Sequence, residues 1–408
     1  MCIKLSIVTA GILPIPAFKG GGVETLVQDF IDENEKRGEF DIELYTIAGA
    51  EKMQGAYKYT TFINIKRNYY IDKIVKLLNP LLYALNRHSF KFPNFRILDS
   101  YEKKLIKILK KDKSDILIFE NNLILLSSIN KKDVKIIFHA HYDDVRSSLR
   151  EFDKKRYQYC YEKISANIGV STFINKRIQD VIGNHIKYYT VHNCIDYCKF
   201  AVNIQEDSIR KIKEKYGIPI NKTIIMYSGR ITKEKGIGQL VDAFKLINED
   251  ACLVIVGGSF YSDNTETEYV LNLKEEARCS KNPIIFTGYI QHDKMPEMWA
   301  LSDIVVVPTY EVEEAAGLVV IEAMASGKPV IISDSGAMSE YINSECSFLV
   351  KRGEDFIVKL AESIELLCKN EFLRKSMGNN ALYQAKKWDK CNYYRNMSTV
   401  IKDVLDEG

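Results

Sequence analysis

The sequence lacks any pair of cysteines at the C-x-x-C spacing of a metal knuckle or redox dithiol. Nine cysteines are scattered over 408 residues. The nearest two, Cys194 and Cys198, have no histidine or cysteine cluster around them to complete a zinc site. That pattern is expected of reduced, mostly buried thiols in a cytoplasmic protein. Prolines number only nine and no tract is of low complexity, which excludes long disordered linkers. No internal repeat is present, and no uninterrupted run reaches the ~20 apolar residues of a spanning helix. The opening Met1-Cys-Ile-Lys-Leu-Ser-Ile-Val-Thr-Ala10 is apolar, but it is short and runs into a Gly/Pro loop. It reads as a first strand and not as a signal peptide.

What is present is ordinary globular material, 46% hydrophobic and 27% charged, long enough for two or three domains at ~150 residues each. The net charge of +3 hides an asymmetry: residues 1–200 carry 32 basic and 23 acidic side chains. Within 52–113 there are 15 basic and 4 acidic residues. Tyr69, Tyr70, Ile74, Val75, Leu77, Leu78, Leu81, Leu82, Phe90 and Phe92 are interleaved with them. One reading is a solvated face over a core-facing stripe. The other is a basic amphipathic surface resting on anionic lipid. Nucleic acid is not expected as a partner, because no nucleic-acid motif accompanies the charge.

The second half alternates short β-branched runs, bounded by Gly or Pro, with helical patterns. Runs at 223–228, 251–258, 283–288, 303–308 and 328–333 are separated by amphipathic stretches at 238–247, 265–279, 293–301 and 318–326. Such runs are buried parallel strands in βα units. The first half repeats the theme with strands expected at 3–9, 41–48, 115–119, 134–141 and 166–170. The expected fold is therefore α/β, with two Rossmann-like doubly wound domains facing a central cleft. The expected divisions are 1–190 and 191–385, with an amphipathic helix in 386–408 packing back on the first domain.

Glu314-Ala-Ala-Gly-Leu-Val-Val-Ile-Glu322 carries the strongest chemistry. Gly317 permits close backbone approach, and the Leu318 and Val319 amides at the helix start favour a phosphate. Glu322, a turn further in, reaches a ribose diol while Glu314 faces a sugar. A plain acidic surface loop would account for Glu311, Glu313 and Glu314 together, but not for Gly317 or the apolar surroundings of Glu322. Ser228-Gly-Arg-Ile-Thr-Lys-Glu-Lys-Gly236 sets Arg230 and Lys235 past a strand end, where a diphosphate needs cations. Gly20-Gly-Gly-Val-Glu24 opens a helix after the first strand, with Gly21 and Gly22 allowing close approach of an anion or sugar. It is not the G-x-G-x-x-G of dinucleotide binding. Ile136-Ile-Phe-His-Ala-His141 ends a strand in two histidines of one facing, with Asp143 and Asp144 beyond. His141 lies nearer the carboxyl end than His139; a metal there would lack further ligands.

With Asn193-Cys-Ile-Asp196 and Phe286-Thr-Gly-Tyr-Ile290 added, these motifs resemble the family 4 retaining glycosyltransferases of the GT-B fold. Within that family the chain is similar to the bacterial group acting on cell-surface polysaccharide, capsule or spore-coat glycans. The resemblance spans nearly the whole chain. It implies that Arg230 and Lys235 hold the donor diphosphate, Glu314 the sugar and Glu322 the ribose. It implies Gly257, Tyr289 and Ile290 around the base through backbone atoms, and Gly21 and Gly22 near the donor phosphate or the acceptor. His141, with His139 as alternate, would touch the transferring sugar near its C6 hydroxyl. Ala316 stands where the acidic turn usually has Phe, and Cys194 where the inter-domain motif usually has Gly. The first bears on the shape of the sugar pocket, the second on the hinge.

The family further implies front-face attack, the leaving phosphate taking the acceptor's proton, with a UDP-sugar favoured over a GDP-sugar as donor. The acceptor would be a glycan or lipid-linked glycan, and the location cytoplasmic, at the inner face of the membrane. No cofactor and no metal are expected, since no D-x-D pair ends a strand where a diphosphate would lie. A degenerate member serving as a coat or membrane-associated scaffold is the alternative; intact Glu314, Glu322, Arg230 and Lys235 speak against it.

Overall fold

A parallel strand covered on both faces needs apolar side chains at every position, and its two faces then feed two separate cores. The computed structural model describes residues 2–18, 21–86, 97–129, 134–143, 151–259 and 267–406. Gly20, Phe90, Phe92 and Asp144 of the sequence analysis lie outside them, as do 265 and 266 of the helical stretch. The described chain forms two compact units, Met1–His192 with Lys390–Gly408, and Asn193–Asp389. The junction falls two residues beyond the expected 190/191, and the return at 389/390 falls four beyond 385/386.

The first unit holds strands β1 (Ile3–Val8), β2 (Phe40–Ile47), β3 (Thr60–Ile65), β4 (Ile116–Glu120), β5 (Lys135–Ala140), β6 (Ala166–Gly169) and β7 (Lys187–Thr190). They form one sheet in the order β3-β2-β1-β4-β5-β6-β7, parallel throughout. The helix Lys390–Asp406 belongs to this unit. Its Tyr394 ring stacks 5.1 Å from Phe30 of the helix Gly22–Arg37, and its hydroxyl donates to Asn34 Oδ1 at 3.0 Å.

The second unit holds β8 (Thr223–Ser228), β9 (Ala251–Val256), β10 (Ile284–Gly288), β11 (Ile304–Val307), β12 (Val330–Ser333) and β13 (Ser347–Val350), parallel in the order β10-β9-β8-β11-β12-β13. The period of two is visible in its cores. Ile224, Met226, Cys252, Val254, Val305 and Ile332 pack on one side, with Met298, Trp299 and Met324. Ile225, Tyr227, Leu253, Ile255, Val306 and Ile331 pack on the other, with Leu240, Phe244 and Ile364.

Strands β3, β7 and β13 do not stand out in the sequence. Each is an outermost strand of its sheet. β3 and β7 mix polar residues into their pattern, Thr-Thr-Phe-Ile-Asn-Ile and Lys-Tyr-Tyr-Thr, and β13, Ser-Phe-Leu-Val, offers only three consecutive apolar residues.

The helix Tyr69–Asn86 departs from the simple solvated-face reading. Val75 is buried, but Tyr69, Tyr70, Ile71, Ile74, Leu77, Leu78 and Leu81 are all exposed, Tyr70 to 87% and Leu77 to 71%. Among the described residues its apolar stripe does not face the core. No helix of the described residues is long and apolar enough to cross a membrane.

Candidate active site

In doubly wound sheets, ligands bind beyond the carboxyl ends of the two central strands whose connections diverge to opposite sides. In the second unit these are β8 and β11. The segment after β8 carries Arg230 and Lys235, and the segment after β11 carries Thr309 and Glu314. The fold brings them together: Lys235 Nζ is ion-paired with Glu314 Oε1. The Thr309 hydroxyl donates to that same oxygen at 2.9 Å. Both charged side chains keep 20% exposure, enough to meet a ligand. Arg230 is half-buried, its carbonyl accepting the Tyr227 hydroxyl at 2.8 Å. Between the two cations, the Glu234 carboxyl is held below its usual value by its own backbone N–H first, then by Thr232, Arg230 and Lys235.

The acidic turn is held from a side that no motif marks. Gly336, with φ 56°, lies so close to Glu314 that a Cβ there would overlap its backbone nitrogen and carbonyl. Ala337 N–H donates to Glu314 O at 2.7 Å, and Ser335 Oγ donates to Val312 O at 2.5 Å. Arg352 braces the base of the turn. Its guanidinium donates to Glu313 Oε1 at 2.8 Å, Tyr310 O at 3.0 Å and Asp334 Oδ1 at 3.2 Å. In the sequence Arg352 is one arginine among many, and only this convergence of donors distinguishes it.

Gly317 precedes the helix Leu318–Ala325 and offers no side-chain cap. Among the described residues, the first-turn amides, including Leu318 and Val319, therefore meet no capping side chain, as an anion site requires. Glu322 is 7% exposed and is held on both oxygens. His292 Nε2 lies 2.9 Å from Oε1, and the Trp299 indole nitrogen lies 3.4 Å from Oε2. Lys199 Nζ stands 3.2 Å from His292 Nδ1. An ammonium only donates, so Nδ1 accepts and the His292 proton sits on Nε2, facing Glu322. His292 and Lys199 escaped the sequence reading, because nothing local links His292 to a glutamate 30 residues on, or Lys199 to a histidine 93 residues on.

Gly257 follows β9 at φ 139°, and a Cβ there would overlap the Gly229 carbonyl oxygen. Its N–H donates to Gly288 O at 3.0 Å, which joins it to the segment carrying Tyr289 and Ile290. Tyr289 is 36% exposed, while Ile290 packs partly buried against the core.

In the first unit the central strands are β1 and β4. Gly21 and Gly22 open the helix after β1, and Glu24 in its first turn is buried. Burial raises the Glu24 carboxyl above its usual value, and the charge of Glu120 adds to that. Glu120, the last residue of β4, pairs in register with His139 of β5. His141 Nε2 lies 2.6 Å from Glu120 Oε2, and His139 Nδ1 lies 3.0 Å from the same oxygen, off the line of a hydrogen bond. His139 is wholly buried, whereas His141 keeps 7% exposure. Burial would raise the Glu120 carboxyl, but the two imidazoles outweigh it and hold the group at about 2. Burial, with the charge of His139, lowers His141 to about 4.

Glu120, His139 and His141 bring three ligand atoms within 4.8 Å of one another. The separations nonetheless have hydrogen-bond length. Two ligands at roughly 2.1 Å on one tetrahedral ion would stand roughly 3.4 Å apart, so these side chains would have to spread to hold one.

Residues 208–384 match the family model described as glycosyl transferases group 1. The putative glycosyltransferase YtcC of Bacillus subtilis is 23% identical over 393 residues, 93% of this chain and 86% of that one. The capsular polysaccharide biosynthesis glycosyltransferase CapM of Staphylococcus aureus is 32% identical over 176 residues, 42% of this chain and 43% of its own. The fold matches the crystal structure of Anabaena Alr3699/HepE in complex with UDP-glucose at a TM-score of 0.72. That match has 17% identity and covers 98% of this chain and 100% of that one.

Proposed function

Because residues 208–384 match the group 1 glycosyl transferases and the chain has the GT-B fold, we propose that it is a glycosyltransferase that moves a sugar from a UDP-sugar with retention of configuration. The observation that carries this reading is the Lys235–Glu314 pair at the divergence of β8 and β11, beside an uncapped helix start. Arg230, Lys235 and the Leu318 and Val319 amides take the donor diphosphate. Together they stabilise the charge that develops on it as the glycosidic bond breaks. Glu314 accepts hydroxyls of the donor sugar, and Glu322 accepts the ribose diol, oriented by His292. Backbone atoms of Gly257, Tyr289 and Ile290 bound the base. His141 meets the transferring sugar, and Gly21 and Gly22 approach the donor phosphate or the acceptor. The acceptor attacks from the face the diphosphate leaves, and the departing phosphate oxygen takes its proton. Two protein cations fill the place of a divalent ion at the diphosphate, so no metal is needed there.

UDP binding by Alr3699/HepE supports the choice of base, and the capsular role named for CapM supports a glycan or lipid-linked glycan acceptor of the cell surface. The test is a thermal-shift panel of UDP, GDP, ADP and their sugars, each with and without EDTA. Ligand at a hundred times Kd stabilises by about 2.7 kcal/mol, so UDP and one UDP-sugar raise Tm by several degrees, with or without chelator. A shift with GDP alone, or one abolished by EDTA, overturns the donor or the metal-free clamp respectively.

The exposed apolar face of Tyr69–Asn86, with Lys73 and Lys76 on the same helix, supports peripheral contact with anionic lipid at the inner face of the membrane. Co-sedimentation with phosphatidylglycerol vesicles is expected to exceed that with phosphatidylcholine vesicles and to fall in Leu77→Asp. Equal sedimentation with both, or no change in that variant, removes the membrane role.

A further inference from the structure

The Glu120–His139–His141 cluster is buried, charged and absent from every motif read in the sequence except for its histidines. Its geometry determines which nitrogen of His141 is free to act. The parallel register of β4 and β5 sets Glu120 directly beside His139, and the two-residue period puts His141 on the same side, its ring 4.1 Å from that of His139. Asn121 locks the strand ends in this arrangement. Its N–H donates to His139 O at 3.1 Å and its Oδ1 accepts His141 N–H at 2.8 Å. Its own φ of 52° is one that asparagine tolerates better than most side chains.

We propose that Glu120 is a positioning residue: it accepts a hydrogen bond from His141 Nε2–H at 2.6 Å and so presents Nδ1 to the sugar as an acceptor. An ionised carboxylate has no proton to give, so the nitrogen facing it must carry one. A neutral imidazole has only one N–H, and once that is committed to Glu120 the other nitrogen holds a lone pair. His141 therefore accepts from a sugar hydroxyl and does not donate to the ring oxygen or the phosphate. His139, wholly buried beside the same carboxylate oxygen, is not placed to meet substrate.

This inference rests on the proposed role of His141 at the sugar, and the experiment separates the two. Imidazole ¹⁵N spectra of the wild-type protein at pH 7.5, assigned with His141→Asn, are expected to show His141 as the Nε2–H tautomer. In Glu120→Gln the partner amide can donate as well as accept, so the spectra become a mixture of tautomers. In that variant kcat falls roughly 10- to 100-fold, the range for groups that orient ligating histidines, while the donor KM changes less than threefold. A wild-type Nδ1–H tautomer overturns the proposal without any variant having to fold. Wild-type kcat in Glu120→Gln beside an inactive His141→Asn also overturns it, and leaves the glycosyl-transfer reading intact. Wild-type kcat in His141→Asn removes His141 from the sugar site itself.

Discussion

Glu314→Gln is expected to fold with an unchanged Tm and to lose transfer by roughly 10²–10³-fold, the scale for removing one preorganised polar contact from a transition state. The substitution keeps the volume and an oxygen able to accept from Thr309, but removes the charge that holds Lys235. Lys235→Met is expected to lose a similar factor, and its effect reaches Glu314 as well as the diphosphate. Because the two side chains are paired, the double variant should fall well short of the product of the single losses. Measuring kcat and Tm for the four proteins closes the cycle. Wild-type turnover in Glu314→Gln would move the chemistry elsewhere. Multiplying losses would mean that the two residues act separately.

The second large effect is expected from a residue that touches no ligand. Gly336→Ala adds one methyl group, yet the new Cβ overlaps the backbone of Glu314. The turn must move, and a displacement of about 1 Å at a reacting group costs on the order of 10²-fold in rate. Strain at the positive φ adds roughly 1–2 kcal/mol of destabilisation. Gly217→Ala is the matching control: φ there is 66°, but nothing lies within 4 Å of the added Cβ. It should lose comparable stability and keep its turnover. UDP affinity should stay within about threefold in both variants, since Gly257, Tyr289 and Ile290 lie on other segments. Full activity in Gly336→Ala would show that the acidic turn is not placed by this contact.

The two residues differ in how far the sequence exposes them. Glu314 is legible because its chemistry is local: a carboxylate, a glycine and a helix start within nine residues. Arg230 and Lys235 are legible for the same reason, since both lie in the few residues after an apolar strand run, beginning with Gly229. Gly336, Arg352 and His292 are not, because each acts on a partner 22 to 39 residues away in the chain. Glu120 is a sharper case. It ends a run, Ile-Leu-Ile-Phe-Glu, that reads only as a buried strand. Its meaning comes from β5 being its neighbour in the sheet.

The same division holds for the fold. Strands covered on both faces, such as β9, in which all six residues are buried, announce themselves as continuous apolar runs. The edge strands β3 and β7 do not, because water on one side permits polar residues in their pattern, and β13 has only four residues. The helix Tyr69–Asn86 shows the limit of periodicity most plainly. Its apolar stripe is evident in the sequence, but a stripe does not say what it faces, and only the packed chain shows it turned away from the core. The sequence alone determined the two parallel sheets and the strand ends that carry charge. Tertiary structure alone decided that Lys235 meets Glu314, that Glu120 meets His141 and that Gly336 shapes the acidic turn. Covalent neighbours fix local conformation and periodicity, whereas a hydrogen bond or an overlap between distant segments exists only once strand order has set them side by side.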